Sequence, residues 1–358
     1  MAEPKELRIG VAALQNFGEA AFAKVGCGAD EARLLTEILV LADLHGMHSH
    51  GVMRIPQYGP KIAVGGFKPG RKGRIVRETA SAVFLDGEGG IGQTITVRAM
   101  QEAMRKARET GVGICGVTNS NHYGAGAYYG LMAEREGMIG VLTTNGSANM
   151  PPYGGGGKIY LTGPLPITVA VPTGPGSRWP FLLDMAMGVA SKGKIVYAAE
   201  KGEKIPLGWA ADKHGQLTDD PKAVINGGWV LPIGGYKGFG LTCVLEILSG
   251  VLTGGALGNE IGNLFTSPAA TPQDLGHFAM AIDPAVFMPL DAFRARMDIY
   301  IAMMKAADLA PGVEEITMPG EPEFRREEDR RRNGVPLDVN LIARLNKYAA
   351  ELGIGQSL

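Results

Sequence analysis

The order of hydrophobic patterns along the 358 residues constrains the fold more than any single motif does. Apolar residues at helical spacing dominate both ends of the chain, whereas short apolar runs of strand length alternate with helical patterns in between. Terminal helices are predicted at 5–25, from Asp30 to near Gly46, at 291–308 and at 337–352. We therefore predict an α/β (α+β) protein with a central sheet and helical ends.

The middle of the chain supplies the predicted strands, which are Ala82–Asp86, Val112–Asn119, Ile139–Asn145, Ile167–Thr173, Phe181–Asp184 and His277–Asp283. Helices are predicted at Ile95–Ala107, Ala125–Glu136 and Leu241–Leu252, the last with Leu241, Val244, Leu245 and Leu248 facing inward. The Gly/Pro/Lys-rich stretch Gly65–Gly73 predicts a domain boundary. The charge run at 324–334 predicts a solvated helix flank.

Composition excludes several classes of function. Lys+Arg 35 and Asp+Glu 36 leave a formal net charge of -1, so the chain lacks the basic excess expected of a nucleic-acid-binding protein or a polybasic membrane patch. The three cysteines have no paired spacing, which argues against a disulfide framework and for a reducing compartment. Without a signal-type apolar core or a run of membrane-spanning length, the cytoplasm is the expected location.

Groups suited to proton transfer are concentrated in Leu44–Tyr58, LHGMHSHGVMRIPQY. This stretch holds three of the six histidines, and imidazole titrates near neutrality, so it can give or take a proton. Arg54 offers a planar fork of donors that matches a carboxylate. The combination predicts chemistry on a small carboxylated molecule. Two alternatives stay open: a polar structural loop, or a metal site built on His45, His48 and His50.

The glycine-rich segment Gly87–Gly92, GEGGIG, fits the dinucleotide fingerprint G-x-G-x-x-G between a strand and a helix. That fingerprint also expects an acid about twenty residues further on, at the end of the next strand, to hold the ribose. Here the next strand ends in Asn119 and Ser120. We therefore predict that GEGGIG is not the dinucleotide site.

Three further clusters place polar side chains at the ends of strands or helices. His122 lies in NSNHYGAG, where it is either a packed structural residue or a catalyst. Asp184 closes a strand in LDMAM, where it either caps the following helix or orients a catalytic imidazole. Lys237 stands among glycines in LPIGGYKGFG just before a helix, a setting that suits a phosphate. The alternative there is a flexible loop with a surface lysine.

Together these clusters resemble the type-2 malate/L-lactate dehydrogenase family. That family includes ureidoglycolate dehydrogenases, diketogulonate reductases, sulfolactate dehydrogenases and reductases of cyclic imino acids. The matching stretches, in order, are SHGVMRIPQY, NSNHYGAG, IGVLTTN, LDMAMGVASKGKI, IPLGWAADKHGQLTDDP, PIGGYKGFGL, PGEPEF and RRRNGVPL. The resemblance runs from about residue 10 to the C-terminus.

The resemblance implies an NAD(P)-dependent oxidoreductase with a non-Rossmann fold. In that architecture the two chain ends, here 1–72 and 288–358, form one helical domain. The cofactor binds a separate domain, here 73–287, with a mixed or largely antiparallel sheet. The resemblance also implies a homodimer with active sites near the subunit interface. We expect NAD as the cofactor, with NADP as the alternative.

Carried over by motif, the resemblance makes His50 and His122 the acid/base candidates, with Ser49, Arg54 and Tyr58 beside the substrate. We assign the proton donor to His50. Cofactor contacts are implied at Asn145, Gly146, Asp184, Met185, Ala186, Lys237, Gly320, Glu321 and Pro322. The resemblance implies no metal.

The predicted reaction is reversible hydride transfer between nicotinamide and a small 2-hydroxy or 2-oxo acid such as malate or lactate. Reduction of a cyclic imine beside a carboxylate is the alternative within the family, and a zinc hydrolase or a non-catalytic binding protein is the alternative outside it. One departure bears on the substrate: where the family usually reads Gly-Thr-Asn-Pro, this chain has Gly163, Pro164, Leu165 and Pro166.

Overall fold

The computed structural model describes residues 5–147, 150–155 and 163–358. The N-terminal part contains β1 (Glu6–Ile9), α1 (Val11–Lys24), α2 (Ala29–His45) and α3 (Ile55–Ala63), with 3-10 turns at His48–His50 and Val52–Arg54. The middle contains β2 (Arg74–Glu78), β3 (Ala82–Asp86), α4 (Gly92–Thr110), β4 (Val112–Ser120), α5 (Ala127–Arg135), β5 (Ile139–Thr144), β6 (Pro166–Val171), β7 (Phe181–Ala186), α6 (Lys192–Lys201), β8 (Ala210–Ala211), β9 (Leu217–Thr218), α7 (Pro221–Ile225), β10 (Trp229–Val230), α8 (Tyr236–Glu246) and β11 (Leu275–Ile282). The C-terminal part contains α9 (Leu290–Lys305), α10 (Glu321–Asn333), β12 (Val335–Asp338) and α11 (Val339–Leu352).

A seven-stranded sheet in the order β2-β3-β4-β11-β5-β6-β7 forms the centre of the molecule. Only β3 and β4 run parallel, joined by the crossover helix α4, and every other neighbouring pair in this sheet is antiparallel. The mixed α/β class predicted from the sequence is therefore confirmed, with a sheet that is largely antiparallel.

Two large hydrophobic cores stabilise the fold, one among the terminal helices and one beside the sheet. One joins both ends of the chain, from Leu14 and Leu35 near the start to Leu345 and Tyr348 near the end. The other lies between the sheet and α4, with Met100 and Val117 among its fully buried residues. The segment that carries the histidine-rich stretch is thus packed by residues from both termini.

The helix α2 ends where the chemistry is expected. Its last residue is His45, and Gly46 follows with a φ of 89°. That left-handed conformation suits glycine because a side chain would be strained there. The chain then turns back through the two 3-10 turns into α3. A tight C-cap thereby brings His48, His50 and Arg54 close together.

The predicted helix at 5–25 is wrong in its first turn. Residues Glu6–Ile9 form β1, which pairs antiparallel with β12, from Glu6 opposite Asp338 to Ile9 opposite Val335. The predicted C-terminal helix likewise begins two residues late because β12 takes its first turn. Hydrogen bonds between distant segments outweighed the local helical pattern.

The inward orientation predicted for the helix at 241–252 is also wrong. Leu245 is 5% exposed, but Leu241 and Val244 are 53% and 49% exposed. The helix continues from α8 into a π-helical turn, Ile247–Val251, in which Ile247 is also exposed. One face of this helix is therefore apolar and open.

The charge run at 324–334 is more than a solvated flank. It forms most of α10, where Phe324 is buried and Glu327 contacts His45 on α2. Arg330 also donates to the backbone carbonyl of Asp43. Within the described ranges, none of the helices has both the length and the apolarity needed to span a bilayer.

Candidate active site

Asp43 holds the histidine-rich loop in place. Its carboxylate is fully buried; Oδ1 lies 2.7 Å from His48 Nδ1, and Oδ2 accepts the Val52 N–H at 2.7 Å. A Cβ at Gly51 would come 2.2 Å from the Asp43 carboxyl group, so only glycine allows this approach. The two bonds fix both sides of His50 in the chain.

Arg54 is a buried cation that forms no ion pair with any residue the structure describes. Its side chain is held by Nε, which donates to Ser49 O at 2.7 Å, and by Nη1, which donates to Gln57 Oε1 at 2.6 Å. The ring of Phe265 covers the guanidinium with its centroid 4.9 Å from Cζ. No aspartate or glutamate in the part of the chain that the structure describes pairs with it. A buried charge of this kind calls for an anionic ligand.

His122 meets Tyr58 across the site. The Tyr58 hydroxyl lies 2.7 Å from Nδ1 of His122, and the Gly124 N–H donates to the same nitrogen at 3.2 Å. A nitrogen that accepts a backbone N–H carries no proton, so in the neutral ring the hydrogen is on Nε2. The Tyr58 side chain is fully buried, and burial raises the pKa of its hydroxyl to about 12, which keeps it protonated.

The two candidate acid/base groups stack on each other. The rings of His50 and His122 lie 5.5 Å apart, with an angle of 18° between their planes. Ser49 Oγ lies 2.9 Å from His50 Nδ1. Burial, with Arg54 as a second cause, lowers the pKa of His50 to about 3. The same two causes place the pKa of His122 well below its ordinary value. Both rings are therefore neutral at pH 7 in the free protein.

The other histidines of the stretch face different partners. His45 Nε2 lies 3.0 Å from Glu327 Oε2, and His48 is bonded to Asp43. Over residues 5–147, 150–155 and 163–358, no group of three or more His, Cys, Asp or Glu side chains is placed to hold a metal ion. The three-histidine site that a zinc hydrolase would need is not assembled.

Asp184 accepts a hydrogen bond at the start of helix α5. Its Oδ2 accepts the Ala127 N–H at 2.9 Å, and its Oδ1 accepts the Thr168 hydroxyl at 2.8 Å. It thus caps α5, and its printed hydrogen bonds reach neither the helix after it nor an imidazole, while His45 acts on it through charge. These bonds favour the capping alternative, and the orienting role toward a catalytic histidine stays a prediction.

The side chain of Asn145 is bound within the fold. Nδ2 donates to Ala256 O at 2.7 Å, and Oδ1 accepts the Gly276 N–H at 3.0 Å. These bonds tie the end of β5 to the neighbouring β11 side of the sheet. A cofactor contact at this point is thus left to the adjacent backbone and to Gly146, which is partly exposed.

Strand register places the other implied cofactor positions at the same end of the sheet. Pro166 at the start of β6 lies opposite Ala186 at the end of β7, and Ile167 lies opposite both Thr143 and Met185. Ile233 N donates to Met187 O, which brings the start of α8 to this edge. Lys237 is exposed in the first turn of α8, after Gly235 with a φ of 63°.

The turn Gly320–Pro322 lies against the same strand. Gly320 has a φ of 95°, and a Cβ there would come 2.8 Å from Leu182 Cβ. Leu182 N donates to Pro319 O at 3.0 Å. The carboxylate of Glu321 is 2.7 Å from Lys305 Nζ. The turn is thereby fixed two residues along β7 from Asp184.

The first four amides of the GEGGIG loop are bonded inside the protein, and Glu88 N donates to Asp86 Oδ1 at 2.9 Å. Gly87 N donates to Thr118 O, Gly89 N to Asn119 O and Gly90 N to Gly87 O, each at 2.8 Å. A pyrophosphate needs free amides, and the exposed Lys237 at a helix start offers a better donor set. The residues at the β7–α8 edge therefore fit a dinucleotide, and the contacts of GEGGIG support the prediction that it is not the site.

Sequence reasoning named Asp43 only as a possible structural partner of Arg54, whereas it binds His48 and Val52, and it missed Gln273. Asp43 lies in the apolar helical stretch ADLH, and an acidic residue in such a stretch was the available signal in the sequence. Gln273 accepts the backbone N–H of His122 with its Oε1 at 3.0 Å, yet it stands in a loop without any motif. The apolar contacts of Leu165, buried with Met187 and Leu245, were also outside local patterns.

Comparison with known proteins agrees with this geometry. A family profile for malate/L-lactate dehydrogenase matches residues 9–346. A malate dehydrogenase from Pyrococcus abyssi is 39% identical over 348 residues, covering 95% of this chain and 94% of that protein. The malate dehydrogenase structure from Pyrococcus horikoshii superposes with a TM-score of 0.89 at 35% identity, covering 100% of this chain and 99% of that one. A Delta(1)-pyrroline-2-carboxylate/Delta(1)-piperideine-2-carboxylate reductase from Pseudomonas putida is 30% identical over 331 residues, covering 92% and 94%.

The fold, the site and these similarities define a nicotinamide-dependent dehydrogenase that acts on the CH–OH group of a small hydroxy acid. The chain belongs to the malate/L-lactate dehydrogenase family.

Proposed function

We propose that this chain interconverts a 2-oxo acid and its 2-hydroxy acid, of the malate or lactate type, with Arg54 holding the carboxylate. The observation that carries the proposal is the buried guanidinium of Arg54, which has no counter-ion among the described residues and lies beside two stacked imidazoles. An incoming carboxylate supplies the missing negative charge. When bound, nicotinamide supplies or accepts the hydride.

We assign the proton transfer to His122 rather than to His50. Tyr58 and Gly124 hold His122 from the Nδ1 side, which leaves Nε2–H directed away from them. Burial is the main cause of the lowered pKa of His122, and the charge of Arg54 is the second. Pairing of Arg54 with the substrate carboxylate removes that second cause, which raises the pKa of the ring and favours its protonated form while the acid is bound. The protonated ring gives its Nε2 proton to the carbonyl oxygen and is left neutral with one hydrogen on Nδ1. That hydrogen is donated in a hydrogen bond to the Tyr58 oxygen, in place of the contact between Nδ1 and the Gly124 N–H.

We propose NAD as the cofactor, with NADP as the alternative. The implied contacts are the β5 end at Gly146, the β7 end at Met185 and Ala186, Lys237 and the Gly320–Pro322 turn. Lys305 and Arg325 are the cations at that turn, and each is already paired with a carboxylate, Lys305 with Glu321 and Arg325 with Glu315. The turn therefore carries no uncompensated charge on these two cations, which favours NAD over NADP.

We propose that the exposed apolar face of α8 and of the π-helical turn after it packs against a second copy of the chain in a homodimer. Leu241, Val244, Ile247 and Val251 lie at helical spacing on this face and are all about half exposed. Such a continuous apolar strip is typical of an interface. Val244→Asp combined with Ile247→Asp should shift the sedimenting mass to the monomer, whereas Leu207→Asp, at an exposed leucine elsewhere, should not.

We also propose the division into a helical domain of 1–72 with 288–358 and a sheet domain of 73–287, with one adjustment. The core shared by both ends supports it. Helix α9, however, is bonded to the sheet side, because Asp298 accepts the N–H groups of Gly174 and Gly176 and the hydroxyl of Ser177.

A cytoplasmic location remains our proposal, supported by three free cysteines.

The test is a panel of pyruvate, oxaloacetate and Δ1-pyrroline-2-carboxylate, each assayed with NADH and with NADPH. Turnover of a 2-oxo acid with NADH as the better cofactor is the expected result. The cyclic imino acid is included because a relative acts on such compounds. Turnover of the imino acid alone would replace the proposed C=O chemistry by C=N reduction.

A further inference from the structure

The segment from Gly262 to Gln273 forms a closed loop. Gly262 N donates to Gln273 O at 3.3 Å, and Gln273 Nε2 donates to Gly262 O at 3.1 Å. The two ends are thus joined at one stem, as in compact surface loops that serve binding sites.

The stem is attached to the acid/base group. Gln273 is 2% exposed, and its Oε1 accepts the backbone N–H of His122 at 3.0 Å. Its own N–H donates to Asn121 Oδ1 at 3.0 Å. The loop is therefore fixed to the strand end that presents His122.

The tip of the loop is structured by its own polar side chains. Asn263 Oδ1 accepts the N–H groups of Phe265 at 2.8 Å and Thr266 at 3.1 Å, and Asn263 N donates to Ser267 Oγ at 2.8 Å. Further along, Ala269 O packs so closely on Gly66 that a Cβ there would come within 2.0 Å. These contacts fix the loop in which Phe265 lies against Arg54.

We propose that Phe265 is a substrate-positioning residue that orients the Arg54 guanidinium for the carboxylate of the substrate. This inference rests on the proposed function. The phenyl ring is 65% exposed, so it contributes little to the core, yet it lies 4.9 Å above the arginine. An exposed ring over a buried cation stabilises that cation and shields one of its faces from water.

The remaining donors define how the acid is held. Nε of Arg54 is bonded to Ser49 O and one hydrogen of Nη1 to Gln57 Oε1, while Phe265 blocks one face. The second Nη1 hydrogen and both hydrogens of Nη2 are left for a ligand. One hydrogen of Nη1 and one of Nη2 form the end edge of the guanidinium, where we expect a carboxylate to bind with two parallel hydrogen bonds.

The experiment compares Phe265→Leu, Phe265→Tyr and the control Phe287→Leu, a phenylalanine that is 76% exposed outside the site. For each variant we measure KM for the 2-oxo acid, KM for the cofactor and kcat. Calorimetry adds the Kd of oxamate, an unreactive carboxylate, for the enzyme with reduced cofactor. Phe265→Leu should raise KM for the acid and Kd for oxamate by about three- to thirtyfold, the range of a cation–π contact.

In Phe265→Leu the cofactor KM and kcat should stay within about twofold of wild type. Phe265→Tyr should keep acid binding near the wild-type value, and Phe287→Leu should change none of these constants. Unchanged oxamate binding in Phe265→Leu, an equal loss in cofactor binding, or failure of the tyrosine to restore it would overturn the inference. If the wild-type enzyme binds oxamate but reduces no acid in the panel, the proposed function fails, while the oxamate Kd values still decide the role of Phe265.

Discussion

The hydroxyl of Tyr58 lies 2.7 Å from Nδ1 of His122, and this contact leaves Nε2 as the imidazole nitrogen that we propose for proton transfer. Tyr58 belongs to α3 and His122 to the end of β4, so the bond crosses from the helical part of the chain to the sheet. His50 stacks on the same imidazole from its own loop. The acid/base site therefore exists only where these segments meet.

Replacing the two histidines separates their roles. His122→Ala should lower kcat for reduction about a hundredfold or more, the usual scale for loss of a general acid. His50→Ala should lower it less, because the proton on His122 Nε2 remains. His214→Ala, at an exposed histidine, serves as the control. A larger loss in His50→Ala than in His122→Ala would return the proton donor to His50.

Arg54→Lys tests the carboxylate clamp. Lysine keeps the charge but loses the two parallel hydrogen bonds, so kcat/KM should fall about ten- to a hundredfold, or about 1.5–3 kcal/mol. Cofactor affinity and the denaturation midpoint should change little. Arg296→Lys, on the exposed side of α9, is the matched control. An Arg54→Lys enzyme with normal kcat/KM and a much lower midpoint would make Arg54 a structural residue.

His277 makes stability depend on pH. It is fully buried between Thr144 Oγ1 and Ser120 Oγ, at 2.7 and 2.8 Å, and burial lowers its pKa to about 3. The unfolded chain takes up a proton on this residue near pH 6.5 and the folded chain does not. Its stabilising contribution is therefore complete above pH 6.5 and is lost as the pH falls toward 3.

His277→Gln removes that titration. The variant should be less stable than wild type at pH 7, and the difference should shrink by about 1.4 kcal/mol per pH unit between pH 5.5 and 4. Urea unfolding at several pH values measures this. His214→Gln should keep the wild-type slope because His214 is exposed. A His277→Gln protein with the same slope as wild type would contradict the assignment.

Two exposed lysines beside glycine-rich turns test where the cofactor phosphates bind. Lys237 precedes most of α8, and Lys68 lies next to Gly89 in the GEGGIG loop. Lys237→Ala should raise the cofactor KM about tenfold, the scale of a charged hydrogen bond, whereas Lys68→Ala should leave it unchanged. The reverse result would place the dinucleotide on GEGGIG.

Local motifs were sufficient to predict which residues meet at the site. Ser49, His50, Arg54 and Tyr58 lie in one short segment, and His122 follows a strand, so their types and spacing were readable. The α/β class followed from the change of hydrophobic period along the chain. The pairing of β1 with β12 was not readable, since its partners stand at opposite ends of the chain.

The outward orientation of the apolar face of α8 could not be predicted from the sequence for a different reason. Periodicity shows that one side of a helix is apolar, but it does not say whether the covering surface belongs to the same chain. Asp184 illustrates a third case. A strand-end carboxylate suits both catalysis and capping, and only the neighbouring amide of Ala127 decides between them.

The core shared by both ends of the chain limits when the N-terminal helices can pack. Tyr348 of α11 packs against Gly59 of α3, where a Cβ would come 1.9 Å from its hydroxyl oxygen. Val335, Leu337 and Leu345 complete the same core around Ile55 and Tyr58. During synthesis, α1 to α3 leave the ribosome long before these partners exist. The core around Ile55 and Tyr58 can therefore close only after the C-terminal segment has been synthesised, by which time every strand of the seven-stranded sheet has left the ribosome.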